Sequence, residues 1–309
     1  MCGTYFTGTR PKFCCHTFTD RLTTMLCVHN NTLAVVFALL SALTIAIGTV
    51  WRHQIVLRHN AEHGNSVGAI GAMKRPVWWL SLSLAWLAYG FQAVALSFGA
   101  LLVVQPVLVL SLLMTLILSA RVEKRRMELD ESFWATVLTI AVGVLIILGR
   151  PTPGTRMASG KEWLLAVGLG VVAMVVTVIV AKRQTSVFRA FLLGAVCGAI
   201  FGYLAVFSKT TVDAFVRGGL TEMATTWPLY ALLAAAVVGT IVQQYAFGAG
   251  NLSQSLPAMK IFEPLLAYTL GMALLGEKFT VTTMSGWALM AVAVVAMFTA
   301  TYFLSRKSV

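Results

Sequence analysis

Glu263 and Lys260 stand three residues apart in SQSLPAMKIFEPLLAYTLGMALLG, a run whose other residues are almost all apolar or small. On insertion scales each charge costs about 2.5–3.5 kcal/mol at the centre of a membrane helix. A segment that keeps both therefore solvates them in a protein interior or a water-filled cavity. Glu263 lies roughly nine residues into its span, or ~13 Å at ~1.5 Å per residue, close to the midplane of a hydrocarbon core about 30 Å thick. Loss of water favours the neutral carboxyl and a neighbouring ammonium favours the anion. That is the setting in which a carboxylate exchanges a proton while a polar solute moves. The competing reading is a static pair that locks one helix face, and Lys260 is near enough to the span's end to reach the headgroups along its own stem.

Other polar residues recur at comparable depth. Pro257 and Pro264 bracket the pair, and each removes an intrahelical hydrogen bond. Gln243, Gln244 and Tyr245 end the preceding span, and Asn251 stands in the turn between the two. Amides offer donors and acceptors without a charge, although as helix-to-helix bonds they contribute only about 0.6 kcal/mol each. Earlier in the chain Ser83, Trp86, Tyr89 and Gln92 recur every three residues, and Gln105 opens the next span. Such a stripe lines a cavity, with Trp86 or Tyr89 stacking on a planar or cationic solute, or it is ordinary packing. Gly194, Gly198 and Gly202 form a ladder that lets another helix approach closely. His53, His59 and His63 have no acidic or cysteine cluster beside them, so neither a metal nor another cofactor is expected.

The elements that position these residues follow from composition. Of 309 residues, 58% are apolar and 11% charged, which is the profile of an all-α, polytopic membrane bundle with the lipid bilayer as its surroundings. Apolar runs of helix length fall at residues 32–51, 78–98, 100–119, 133–149, 162–180, 187–207, 227–247, 254–275 and 284–304. The links near Ser97–Gly99 and Gly248–Ser253 are so short that they predict two tight hairpins. Residues 1–31 read as a polar tail, and Met25 offers an alternative start. The net charge of +12 is spread over short turns, so it fits lipid headgroups rather than nucleic acid.

Charge asymmetry predicts the orientation. With the amino end external, internal loops hold thirteen Lys and Arg residues and external loops six: Arg150, Arg156, Lys161, Lys209, Arg217 and Lys278. Arg10, Lys12 and Arg21 of the tail weaken this bias without reversing it. The expectation is a plasma-membrane protein with an external amino terminus and a cytoplasmic carboxyl terminus.

The two hairpins also read alike. FQAVALSFGALLVVQPVLVLSLLMTLIL from Phe91 aligns with FGAGNLSQSLPAMKIFEPLLAYTLGMALLG from Phe247, placing Gln105-Pro106 on Glu263-Pro264. The predicted organisation is two inverted repeats, 32–150 with four spans and 151–309 with five. Phe262 to Tyr268, F-E-P-L-L-A-Y, and Gly271 to Lys278, G-M-A-L-L-G-E-K, resemble the second EamA-type repeat of the drug/metabolite transporter superfamily. The resemblance covers residues 32–304 and is similar in its nine-helix layout to the NIPA-type magnesium transporter branch. It departs from the family pattern at Gln105, where Glu is usual, and at Ala120-Arg121, where the second repeat has Gly276-Glu277.

This resemblance implies a transport role; with the inverted repeats and Glu263 at depth, the expectation is a secondary transporter of a small metabolite, drug or lipid-linked headgroup, working by alternating access and coupled to protons through Glu263. A magnesium transporter is the alternative within transport, although Glu263 is the one carboxylate at depth. No phosphate-binding loop for ATP occurs. An integral membrane enzyme acting on lipid would need paired acids or a nucleophile that the loop Arg121–Glu131 does not supply, so no enzymatic activity is expected. A non-transporting accessory subunit is a further alternative. Small-residue faces such as the glycine ladder join helices within one chain or between two, which leaves a homodimer open.

Overall fold

The computed structural model describes residues 30–63, 76–122, 124, 127–154, 156, 158–248 and 252–307. Among them are nine α-helices: α1 (Asn31–His63), α2 (Pro76–Phe98), α3 (Leu101–Val122), α4 (Leu129–Ile147), α5 (Gly160–Ala181), α6 (Ser186–Thr225), α7 (Trp227–Gly248), α8 (Leu252–Leu270) and α9 (Met284–Lys307). Every apolar run read from the sequence falls on one of these helices. Seven helices are long and apolar enough to cross a membrane, and two shorter apolar segments, Trp86–Phe98 and Trp227–Gln243, lie in α2 and α7. No strand occurs among the described residues, only an isolated antiparallel bridge between Thr152 and Lys278.

Local signals set the boundaries. Glu128 with Glu131, and Ser159 with Glu162, form reciprocal capping boxes at the starts of α4 and α5. A π-helical turn, Gly271–Leu275, follows α8 and stops at Gly276, which has φ 68°. That left-handed conformation suits glycine because it carries no Cβ.

Two helices run further than the apolar pattern indicates. α1 continues past residue 51, so His53, His59 and His63 belong to a helical backbone rather than a loop, and their side chains lie outside the described ones. α6 is 40 residues long, with a kink at Gly218–Gly219. Lys209 and Arg217 are therefore helical, which corrects their assignment to an external loop, and so are Asp213 and Glu222. The helix persists because Lys209 and Asp213, at i and i+4, pair at 2.9 Å while Val206, Phe207 and Ala214 continue the buried face.

Packing gathers α2 and α3 about α1, and α7 and α8 about α6, as two groups of helices that α4 and α9 join. α1 lies on α2 and α3, and α3 touches α4; α6 lies on α7 and α8, and α8 touches α9. The groups meet where α4 packs on α9, α3 on α8 and α2 on α6. Trp134 of α4 stacks on Phe303 of α9 with centroids 4.3 Å apart. The glycine ladder is used in full between α6 and α8. A Cβ on Gly194 would stand 2.9 Å from the Ser255 Cα, one on Gly198 2.5 Å from the Met259 carbonyl oxygen, and one on Gly202 2.9 Å from that of Glu263. These three contacts recur every four residues on both helices, so the ladder brings the backbone carrying Lys260 and Glu263 against α6.

α5 leans on α6 and leaves Leu164, Leu165, Leu169 and Val172 mostly exposed. An apolar helix uncovered in this way is matched to lipid rather than water.

Candidate functional site

A cavity of about 280 Å³ lies between the two groups of helices. From the first group it takes Thr44 and Gly48 on α1, Tyr89 and Gln92 on α2, and Gln105 and Ser111 on α3. From the second it takes Phe201 on α6, Gln243 on α7, and Met259, Lys260, Glu263 and Pro264 on α8. Six residues singled out in the sequence thus meet around one space: Tyr89, Gln92, Gln105, Gln243, Lys260 and Glu263. Trp86 and Tyr245 are not in its lining and are 74% and 71% exposed. Asn251 and the side chain of Gln244 lie outside the described ones.

Lys260 Nζ and Glu263 Oε2 are 3.8 Å apart and half-buried, a contact at the long end for an ion pair. Their spacing on one helix makes them neighbours, yet each keeps a face towards the cavity. Pro264 has no N–H to offer the Lys260 carbonyl, so the ladder of α8 is interrupted beside the pair. Gln243 Nε2 lies 3.5 Å from Met259 Sδ.

Gln105 differs from the other amides. It is 2% exposed, and its Nε2 has no hydrogen-bond partner. An amide N–H buried in this way normally has an acceptor. Its setting beside a polar cavity suits a ligand carrying a carbonyl, carboxylate or hydroxyl oxygen.

A second polar cluster stands at the end of the bundle where α1 begins. There Asn30 N–H donates to the Phe98 carbonyl at 3.2 Å, and Asn31 Nδ2 donates to that of Pro151 at 3.3 Å. The Glu277 carboxylate accepts from the backbone N–H groups of Leu101 at 2.7 Å and Leu102 at 2.9 Å. It thereby satisfies two donors that the first turn of α3 cannot bond internally. Lys209 Nζ donates to the Leu96 carbonyl at 2.7 Å and pairs with Asp213. Glu277 is 1% exposed and Lys209 6%. Burial pushes the Glu277 carboxyl above the ordinary carboxylate range, opposed by the two backbone N–H groups and by Lys209.

Sequence reasoning did not place Glu277 or Lys209 among the site residues, because each stands at the end of an apolar run, where a charge usually meets water. The signal was present in Gly276-Glu277, a glycine stop followed at once by an acid. Lys209 carried a weaker one, standing two residues past a run with its i+4 partner Asp213.

Helix content, apolar span length and a polar cavity at the junction of two helical groups define a polytopic helical membrane protein. No protein-family model and no solved structure matches the chain. It is 49% identical over 282 residues to an uncharacterized protein of Corynebacterium glutamicum, covering 91% of this chain and 97% of the other. The chain belongs to the same family as that protein.

Proposed function

We propose that the protein is a secondary transporter that moves a small polar organic solute by alternating access, with Glu263 exchanging a proton. The observation that carries this reading is the cavity shared by both helical groups, in which the unpartnered Gln105 amide accompanies the half-buried Lys260–Glu263 pair. Two further features support it. The pairing of α1 with α2 and α3 parallels that of α6 with α7 and α8, as expected of inverted repeats that rock against each other. The F-E-P and G-E motifs resemble the drug/metabolite transporter superfamily.

Lys260 narrows the substrate. Its ammonium beside Glu263 opposes a divalent cation, so the cavity suits a neutral or zwitterionic solute better than magnesium. In this reading the end bearing Glu277 is external and the membrane is the plasma membrane. A potential of about 100 mV supplies about 2.3 kcal/mol per charge moved, roughly a fifty-fold gradient of a neutral solute.

Reconstitution in proteoliposomes, with a screen of small solutes for flux and lumenal pH change, tests the proposal. Wild type is expected to couple solute flux to a pH change, and Glu263→Gln to lose that coupling. Equal flux and equal pH change in the two proteins would remove Glu263 from the coupling role. Absence of flux for every solute class, from protein shown to be folded, would remove the transport reading itself.

A further inference from the structure

The cavity is bounded differently at its two margins. Its rim lies at the exposed Tyr89 and the half-buried Lys260–Glu263 pair. Towards Glu277 the chain is fully packed, with Leu96, Leu102, Phe207 and Leu274 all buried.

Three buried polar atoms without a hydrogen-bond partner lie in this packed region or at its edge: Gln105 Nε2, Thr211 Oγ1 and the Tyr268 hydroxyl. Gln105 stands at the cavity's edge on α3, Tyr268 between the cavity and the Glu277 cluster along α8, and Thr211 beside that cluster on α6. On α3, Gln105 is one turn past Leu101, whose N–H Glu277 holds. On α8, Tyr268 is five residues past Glu263 on the way to Glu277. On α6, Thr211 is ten residues past the cavity-lining Phe201 and two past Lys209. These three helices pack on one another. Buried polar side chains in native proteins are nearly always bonded. Three unbonded ones on helices that pack together suit a route that water enters when those helices part.

We propose that α3, α6 and α8 enclose the second half of the permeation path, past Gln105, Thr211 and Tyr268, and that the Glu277 clasp on Leu101 and Leu102 is the gate that shuts it. The proposal rests on the transport reading and adds a gate and a route to it. Glu277 is suited to the role because it belongs to one helical group and grips the first turn of a helix in the other. Lys209, held by the Leu96 carbonyl, pins the end of α2 beside it. When the clasp and the Lys209–Leu96 bond release together, the α2–α3 hairpin can leave α6, and water reaches the three polar groups from the Glu277 end.

Cysteine labelling tests this without a substrate. Cys2, Cys14, Cys15 and Cys27 are replaced by Ser and Cys197 by Ala, and Thr211→Cys is introduced. Its reaction with a small charged methanethiosulfonate in detergent is timed with Glu277 intact, with Glu277→Gln and with Glu277→Ala. The expected result is slow labelling with Glu277 intact, at least tenfold faster labelling with Glu277→Ala, and an intermediate rate with Glu277→Gln, which keeps one acceptor. Tyr268→Cys is the second reporter if Thr211→Cys does not fold. Glu277→Asp, whose carboxylate is too short to reach both N–H groups, replaces Glu277→Ala on the same condition. Equal rates in all Glu277 variants, each folded by thermal melting, overturn the gate. So does labelling with Glu277 intact as fast as that of an exposed Lys161→Cys control. Faster labelling without flux of any solute would retain the gate and sink transport, whereas flux with unchanged labelling would do the reverse.

Discussion

The Glu277 carboxylate and the Leu101 backbone N–H are 176 positions apart in the chain and meet at 2.7 Å. The first N–H groups of a helix are usually satisfied by a residue just before it. Here an anion from the other helical group does this, at the end of α3 that favours negative charge. Glu277→Ala leaves two buried donors unbonded, each costing about 1–3 kcal/mol, so a loss of roughly 2–6 kcal/mol is expected. Glu277→Gln retains an acceptor and loses less. Thermal or denaturant unfolding in detergent checks the order, and an alanine variant as stable as wild type would contradict it.

The same residue makes stability depend on pH with a sign opposite to that of a typical ion-paired carboxylate. Burial holds the folded-state carboxyl above its ordinary range, with Lys209 opposing and Asp213 reinforcing the shift, whereas an unfolded Glu titrates near about 4.3. A proton is therefore bound more tightly in the folded state. The stability this contributes is fully present below the unfolded value and is lost as pH rises through the raised folded value. Relative to Glu277→Gln, wild type is expected to gain unfolding midpoint as the pH is lowered from neutral towards the unfolded value of about 4.3. A relative loss over that window would mean that the N–H groups and Lys209 outweigh burial.

The glycine ladder gives a positional contrast. A Cβ at Gly198 would fall 2.5 Å from the Met259 carbonyl oxygen and 3.0 Å from its Cα, whereas a Cβ at Gly90 would have nothing within 4 Å. Gly198→Ala is expected to force α6 and α8 apart at a cost of about 1–3 kcal/mol. Gly90→Ala should be neutral or stabilising by up to ~1 kcal/mol, the helix-propensity difference. Paired melting curves check this, and the effect at Gly198 should carry a loss of transport because α8 bears Lys260 and Glu263.

Gln105→Leu should separate stability from function. Replacing a buried, unbonded amide by an apolar side chain of similar size removes a desolvation cost of about 1–3 kcal/mol, so the variant is expected to melt at or above the wild-type temperature. It also removes the N–H available to a solute oxygen, so apparent affinity for a transported solute should fall at least tenfold. A variant with lowered stability and unchanged affinity would make Gln105 a packing residue.

Much of the fold was legible because the bilayer imposes a simple code. Each run of about 20 apolar residues is a helix, and each run read from the sequence overlaps one of α1–α9, although α1 and α6 extend well past theirs. Glu263, Lys260 and the glycine ladder were visible because they break that code inside a run. Which polar residues would meet was less legible. Trp86 and Tyr89 are adjacent members of one stripe, yet only Tyr89 lines the cavity, since helix rotation is decided by packing rather than spacing. Lys209 and Glu277 were hidden for a different reason. A charge at the end of an apolar run looks solvated until a distant backbone segment is known to cover it.

α5 has a consequence of its own. It is held mainly by α6, through the Tyr203 hydroxyl donating to the Ala166 carbonyl at 2.6 Å and the stacking of Trp163 on Phe207. Most of its apolar surface has no protein neighbour to lose. During synthesis such a helix can partition into lipid before any later helix exists, because its burial does not await their arrival. The direction in which it enters then fixes the side from which α6 must start, so the least packed helix of the bundle can decide the polarity of the four that follow.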